Sequence, residues 1–350
     1  MPTIPKASFE ETLGRKVLPS VCIGCGSCVV VCPTNCLEYV DGKPVLTKEC
    51  KSCGICAQIC PTYEPSMPAM DQFVFGRARR EDEDFGVFRQ IVIAQTKDEA
   101  IRKVCQDGGI VTTLLAYALD SGLIDGAVLS GVSETEPLKA VPRLALTRGE
   151  IAQCAGTRYT YSPNMLAVKE GILQRRKNLA FVGTPCQIHA VRKIQALPLK
   201  KYSQSLGFTI GLLCSECFTY NGLVKELIKG HLGIDPWEVV KVNIKGRLII
   251  TSKSGNSLAV PLKEVKRYSS NCLSDCPDFS AELADISVGG LGLDGWTFTI
   301  LRTEKGEKLF NRAESEGMIR TRPIHEEKKA FDLLVTLSRK KHQSATDLVH

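Results

Sequence analysis

The sequence predicts an α/β domain with a mixed sheet, preceded by a small cysteine-rich α+β domain. Two observations predict it. Nine of the sixteen cysteines fall between Cys22 and Cys60, eight of them in one motif written twice. From residue 89 onward, strand-sized apolar runs alternate with amphipathic helical stretches. A chain of 350 residues has room for about two or three cores of this kind. The net charge of +7, from 45 basic and 38 acidic residues, is too diffuse to argue for nucleic acid. No apolar run approaches the ~18 residues of a membrane-spanning helix. The opening Met1–Lys6 has no apolar signal core, so export is not expected and a cytoplasmic setting is. In reducing surroundings such a cysteine density points to metal rather than to disulfides.

The repeat is Cys22-x2-Cys25-x2-Cys28-x3-Cys32-Pro33, then Cys50-x2-Cys53-x2-Cys56-x3-Cys60-Pro61, offset by 28 residues. It resembles the bacterial two-cluster ferredoxin run over residues 21–62. In that run three thiolates hold one 4Fe–4S cubane and the fourth crosses to the other. Cluster one therefore falls to Cys22, Cys25, Cys28 and Cys60, and cluster two to Cys50, Cys53, Cys56 and Cys32. Gly24, Gly26 and Gly54 allow close backbone approach. Zinc sites space their ligand pairs more widely. Cys36, just beyond the run, reads as a structural spare. Residues 1–65 form this domain. Residues 66–88, rich in Pro, Arg and acids, read as a solvated linker.

In the long domain, 89–325, Ile91–Ala94, Gly126–Leu129, Leu179–Val182 and Phe208–Leu213 read as strands. Gly108–Ser121, Asn164–Arg176, Cys186–Gln195 and Leu223–His231 read as helices, and 237–302 as strand-rich. Residues 326–350 should form a final amphipathic helix and tail, with Phe331, Leu333, Leu334 and Leu337 on its apolar face. Gly290–Gly295 matches G-x-G-x-x-G. It is followed by the β-branched, aromatic run Trp296–Leu301, so it opens a strand rather than a helix and does not read as a dinucleotide site. The five histidines have no partner at metal spacing.

Seven cysteines lie beyond the repeat. Cys186 sits at a strand-to-helix turn, Cys214 at a strand end, and Cys272-x3-Cys276-Pro277 in a loop. Such positions converge on one side of an α/β sheet, so these four could close a further cubane. Spacing alone leaves open that they are buried apolar thiols.

Asp107-Gly108-Gly109, Ala155–Tyr159, Gly183–Gln187 and 272–289 occur in order and resemble the coenzyme F420 hydrogenase/dehydrogenase beta-subunit family over about residues 89–310. The resemblance implies a flavin-binding α/β domain carrying FAD, one 4Fe–4S cluster and a site for coenzyme F420. It puts that cluster on Cys186, Cys214, Cys272 and Cys276, with Cys217 the nearest substitute. It puts flavin contacts on Gly108, Gly109, Val111, Thr112, Thr157, Arg158, Tyr159, Ser162, Gly183 and Thr184. Arg158 stands where the family more often has Lys, which changes contact geometry though not charge.

Three cubanes, FAD and F420 make sense together, because F420H2 carries a hydride and a cubane passes one electron. The implied order runs from F420 to FAD, the flavin-domain cluster, the two ferredoxin clusters and a redox partner, or the reverse. The implied role is the F420-oxidising subunit of a larger complex, such as a membrane-associated F420H2 dehydrogenase. The alternative is an iron–sulfur subunit serving formate dehydrogenase, hydrogenase or heterodisulfide reductase. Arg158, Lys193 and Arg302 are the basic residues expected to steer the anionic tail of F420.

Overall fold

The computed structural model describes residues 4–215, 217–270 and 276–346. In the cysteine-rich part, each motif enters a short helix, Ser27–Val31 or Ile55–Ile59, through a left-handed glycine, Gly26 or Gly54. At Gly54 a Cβ would lie 1.9 Å from the Pro5 carbonyl oxygen, so only glycine fits. Between the helices, β1 (Leu37–Val40) and β2 (Lys43–Leu46) form an antiparallel hairpin.

The large domain is built on β3 (Gln90–Thr96), β4 (Gly126–Val132), β5 (Ala140–Ala145), β6 (Leu179–Gly183), β7 (Leu206–Leu212), β11 (Ile286–Gly289), β12 (Thr297–Leu301) and β13 (Ile319–Arg322). Their order is β13-β3-β12-β11-β7-β6-β4-β5. The pairs β4–β6, β6–β7 and β7–β11 are parallel, and antiparallel strands flank them. Because β12 runs antiparallel to both β11 and β3, β3 points the same way as β4, β6, β7 and β11. Five strands thus end on one edge. A separate meander, β8 (Val239–Ile244), β9 (Arg247–Ser252) and β10 (Ser257–Pro261), packs against the π-type helix Asn221–His231.

The two parts share one core. Phe9, Leu13, Val30 and Ile59 of the cysteine-rich part pack in the same apolar cluster as Met165, Val168, Ile188 and Val191 from helices Met165–Leu173 and Pro185–Ala196. Lys193 Nζ donates to the Cys60 and Tyr63 carbonyls at 2.7 and 3.0 Å, and Tyr202 Oη donates to the Val30 carbonyl at 2.9 Å.

Segment 66–88 corrects the expectation of a solvated linker. Ser66 caps a helix at Met67–Phe75, with Pro68 in its first turn and left-handed Gly76 closing it. Arg79 then bridges buried Asp71 and buried Glu282, and Arg77 holds buried Glu83 at 2.8 Å. Asp71 and Glu83 are thus buried and paired within the segment, Arg79 ties it to the body through Glu282, and Arg80 and Asp82 pair in water. The last helix, Lys328–Thr346, lies over this region. Leu334 is buried and Phe331 meets Phe85 edge-on at 5.9 Å, but Leu333 is exposed rather than part of the apolar face. No described helix is long and apolar enough to cross a membrane.

Candidate functional site

The four thiols assigned by spacing to cluster one, Cys22, Cys25, Cys28 and Cys60, line a single cavity with Leu13 and Val17. Burial pushes the Cys25 thiol up to about 12, and Cys60 and Cys22 crowd it further. Cys28 is raised by burial and then by Cys25, Cys60 and Cys22. In the second group, burial and then the proximity of Cys53, Cys50 and Cys32 push Cys56 up to about 12. Cys25 and Cys28 in the first group and Cys56 in the second are thus crowded, buried thiols whose ionisation calls for a neutralising cation, which is the donor chemistry of a thiolate cluster. Surrounding donors suit sulfur ligands: Phe9 N–H reaches Cys50 Sγ at 3.4 Å, and Ser27 Oγ lies 3.2 Å from Cys25 Sγ. Burial opposes ionisation of Cys32, but hydrogen bonds from Thr34 and Cys36 outweigh it and lower its pKa. Cys36 Sγ sits 3.3 Å from Cys32 Sγ. The spare is therefore a neighbour of an expected ligand. Among the described residues no three His, Cys, Asp or Glu side chains close on a single-ion site.

A second constellation occupies the edge where the five aligned strands end. Beyond β6, Thr184 caps helix Pro185–Ala196 in a reciprocal box with Gln187, and Thr184 Oγ1 lies 3.2 Å from Cys186 Sγ. Beyond β7, the Cys214 N–H donates to the Phe279 carbonyl at 2.9 Å. Burial pushes Cys276 up to about 11, with Asp278 and Cys214 adding to the effect and Lys341 opposing it. Burial opposes the charge on the Lys341 ammonium, but Cys214, Cys276, Asp278 and Cys186 outweigh it and raise its pKa. Cys272, the fourth expected ligand, lies outside the described residues. Cys217 is buried, and its carbonyl accepts from Ser270 N–H at 2.9 Å.

The residues matched to flavin contacts fall at the same edge, in two groups. Gly108 is clamped between strands: its N–H donates to Thr297 Oγ1 at 2.9 Å, its carbonyl accepts from Thr96 N–H at 2.7 Å, and a Cβ would lie 2.4 Å from the Ala94 carbonyl oxygen. Gly109, at φ +75°, opens helix Ile110–Asp120 without a side-chain cap. Val111 and buried Thr112 lie in its first turn, where backbone N–H groups have no helical acceptor. Arg158 sits across from this loop. Its neighbour Gly156 lies against the Val104 carbonyl, and Arg158 Nη1 donates to the Ala155 carbonyl at 2.8 Å. Arg158 Nε and Gln106 Nε2 are buried donors without an acceptor among the described residues. Two orphaned donors beside an uncapped helix start fit an anionic phosphate group. Thr157 is exposed. Tyr159 Oη accepts from the Ile244 N–H at 3.1 Å. The second group is knit together: Ser162 Oγ donates to Asn164 Oδ1 at 2.6 Å, Asn164 Nδ2 donates to the Val182 carbonyl at 2.9 Å, and Gln187 Nε2 donates to the Ser162 carbonyl at 2.5 Å beside Gly183 and Thr184.

Two of the expected steering residues are corrected. Arg302 is fully buried and donates to the Phe85, Val87 and Ser280 carbonyls, all within 3.1 Å, and to Ser287 Oγ at 2.6 Å. Lys193 is committed to the Cys60 loop. Sequence reasoning missed the cations that do face this edge. Arg102 and Lys103 rim a cleft with Gln95, Glu99, Asp107 and Gly295. Lys241 and Lys245 partly offset the burial that pushes Asp107 up to about 6. The Gly290–Gly295 loop opens β12, as its aromatic continuation implied, and lies against Asp107, with Gln95 bonded to the Gly295 carbonyl.

Residues 91–169 and 176–327 match the N- and C-terminal parts of "Coenzyme F420 hydrogenase/dehydrogenase, beta subunit", and residues 16–38 match a 4Fe-4S binding domain. The chain is 38% identical over 265 residues to the beta subunit of the coenzyme F420 hydrogenase of Methanothermobacter thermautotrophicus, covering 74% of this chain and 93% of that one. It is 31% identical over 311 residues to a subunit of the F420H2 dehydrogenase of Methanosarcina mazei, covering 87% and 85%. The fold matches a chain of the F420-reducing [NiFe] hydrogenase complex from Methanosarcina barkeri with a TM-score of 0.74 and 35% identity, over 77% of this chain and 94% of that one. The chain belongs to the coenzyme F420 hydrogenase/dehydrogenase beta-subunit family, and it carries an iron–sulfur domain at its N-terminus.

Proposed function

We propose that this chain oxidises or reduces coenzyme F420 as the FAD-dependent, three-cluster subunit of a larger redox complex. The observation that carries the reading is the shared edge: the flavin-contact residues and the third cysteine set meet within one turn, at Thr184–Cys186. When bound, FAD would supply the conversion between the hydride of F420H2 and the single electrons that iron–sulfur clusters carry.

The protein's own residues do the holding. Cys22, Cys25, Cys28 and Cys60 would bind one cubane, Cys50, Cys53, Cys56 and Cys32 the second, and Cys186, Cys214, Cys272 and Cys276 the third. The free N–H groups beyond Gly109, with Arg158 and Gln106, would receive the flavin phosphates. Ser162, Gly183 and Thr184, locked by Asn164 and Gln187, would border the ring. Arg102 and Lys103 stand at the cleft mouth, where their charge would draw in the anionic tail of F420. Lys193 and Tyr202 hold the cysteine-rich part against helix Pro185–Ala196, so the first two cubane sites keep a fixed position relative to the third. A partner protein is expected, since the relatives are named as components of hydrogenase or dehydrogenase complexes.

Anaerobic mixing of purified protein with F420H2, NADH and NADPH separately, following flavin absorbance, tests the reading. F420H2 should bleach the flavin fastest, and added salt should slow it. Rapid bleaching by NADH without response to F420H2 overturns the proposal.

A further inference from the structure

The C-terminal helix supplies something that neither the cysteine spacing nor the flavin motifs require. Lys341 Nζ donates to the Asp278 carbonyl at 3.4 Å, and the Cys276 thiol lies 3.5 Å from that same oxygen. Ammonium and sulfur thus share one acceptor, and the charge of Cys214 and Cys186 helps to raise the Lys341 pKa against its burial. The helix is fastened here from several sides. Arg339 makes two bonds of 2.8 Å to Asp84, and His342 Nε2 lies 3.0 Å from Glu282 Oε1. Glu282 is fully buried and is also held by Arg79. Asp278 is buried with one carboxyl oxygen unpartnered among the described residues. Of the other charges at this spot, Glu282 is committed to Arg79 and His342 and Arg302 to backbone carbonyls, while Asp278 acts on Lys341 itself. Among the described residues, Lys341 is the cation left facing the sulfurs.

We propose that Lys341 is a positioning residue for the third cluster, its ammonium held by the C-terminal helix beside the thiolates so that the more negative, one-electron-reduced cluster is favoured. This rests on the reading that Cys186, Cys214, Cys272 and Cys276 hold a cubane. Reduction adds one electron and no proton, so the cluster's charge falls by one and an adjacent fixed cation stabilises the product. The effect is large where water is excluded, because the local dielectric is low. The two N-terminal groups have no counterpart on this helix, so the effect is confined to one cluster.

The test is an anaerobic dithionite titration followed by electron paramagnetic resonance, on full-length wild type, Lys341→Met and Lys341→Arg, with iron counted in each. The third-cluster signal is the one missing from Cys276→Ser protein. Lys341→Met should make that cluster at least tenfold harder to reduce, about 59 mV for a one-electron couple. Lys341→Arg should stay near wild type, and the other two signals should not move. If Lys341→Met loses four irons while Lys341→Arg keeps them, the charge serves assembly rather than reduction and the proposal falls. It is also overturned if Lys341→Met keeps all irons and titrates like wild type, or if both variants lose the cluster. Wild type holding only about eight irons overturns the third-cluster reading itself, and this inference with it.

Discussion

The N-terminal cysteines and the later ones are placed by opposite routes. The first eight sulfurs come from two runs of eleven residues, each turned by one left-handed glycine into a short helix, so local geometry gathers them. The third group takes Cys186 from a helix start, Cys214 from beyond β7 and Cys276 from before β11, on elements that only the parallel sheet makes neighbours. The comparison teaches that the first kind of site is written in spacing and the second in strand order. A local site should survive damage to the sheet better than an assembled one. The shared core sets the limit to that independence.

Deleting residues 1–65 gives the largest expected effect. It would strip Phe9, Leu13, Val30 and Ile59 from a core that also contains Met165 and Ile188. The remainder should aggregate or lose cooperative unfolding, as read by calorimetry and limited proteolysis. A remainder that melts cooperatively near the full-length temperature would show that the two regions are separable after all.

Iron content separates the groups next. The intact protein should bind about twelve irons, four per cubane. Cys53→Ser and Cys276→Ser should each lose about four, whereas Cys105→Ser and Cys154→Ser should lose none. Cys36→Ser should also keep all twelve, despite its closeness to Cys32.

Arg302→Met should act on one region alone. It removes donors from the Phe85, Val87 and Ser280 carbonyls and leaves them buried, which costs about 3–5 kcal/mol. Thermal unfolding should fall accordingly. The third cluster should be lost at lower temperature than the first two, as followed by their separate resonance signals.

The smallest effect is on acid stability. Hydrogen bonding from Arg77, against burial, holds the Glu83 carboxyl down at about 2 in the folded state. The folded protein thus binds fewer protons than the unfolded chain between about 4.5 and about 2. The stabilisation is complete above that window and lost as the pH falls through it. Glu83→Gln should lower the melting temperature at pH 7 and flatten its decline between pH 4.5 and 2. An unchanged acid limb would remove the ion pair as an anchor of segment 66–88.

Much of this is legible along the chain. The strands Gln90–Thr96, Gly126–Val132 and Leu179–Gly183 announce themselves as apolar runs, and the aromatic run after Gly295 rightly argues for a strand. The helix at Met67–Phe75 is also signalled, by Ser66, Pro68 and Gly76, but the surrounding charge makes it read as a solvated strap. The error comes from treating Arg79, Asp71 and Glu282 as independent ions, although residues 203 apart in sequence pair in the fold. Arg302 is misread for the same reason: composition cannot tell a surface guanidinium from one that organises five buried acceptors. Lys341 carries no local signal at all.

The sequence by itself determined which sulfurs form the first two groups, because a two-residue gap and a glycine constrain the backbone within a single turn. It also determined that a mixed α/β sheet would follow, through the period of its apolar residues. Only the tertiary structure decided which edge collects Gly109, Arg158, Thr184 and the later cysteines, and which cation faces them. Those are questions of strand order and helix docking, set by burial summed over the whole core rather than by any window of residues.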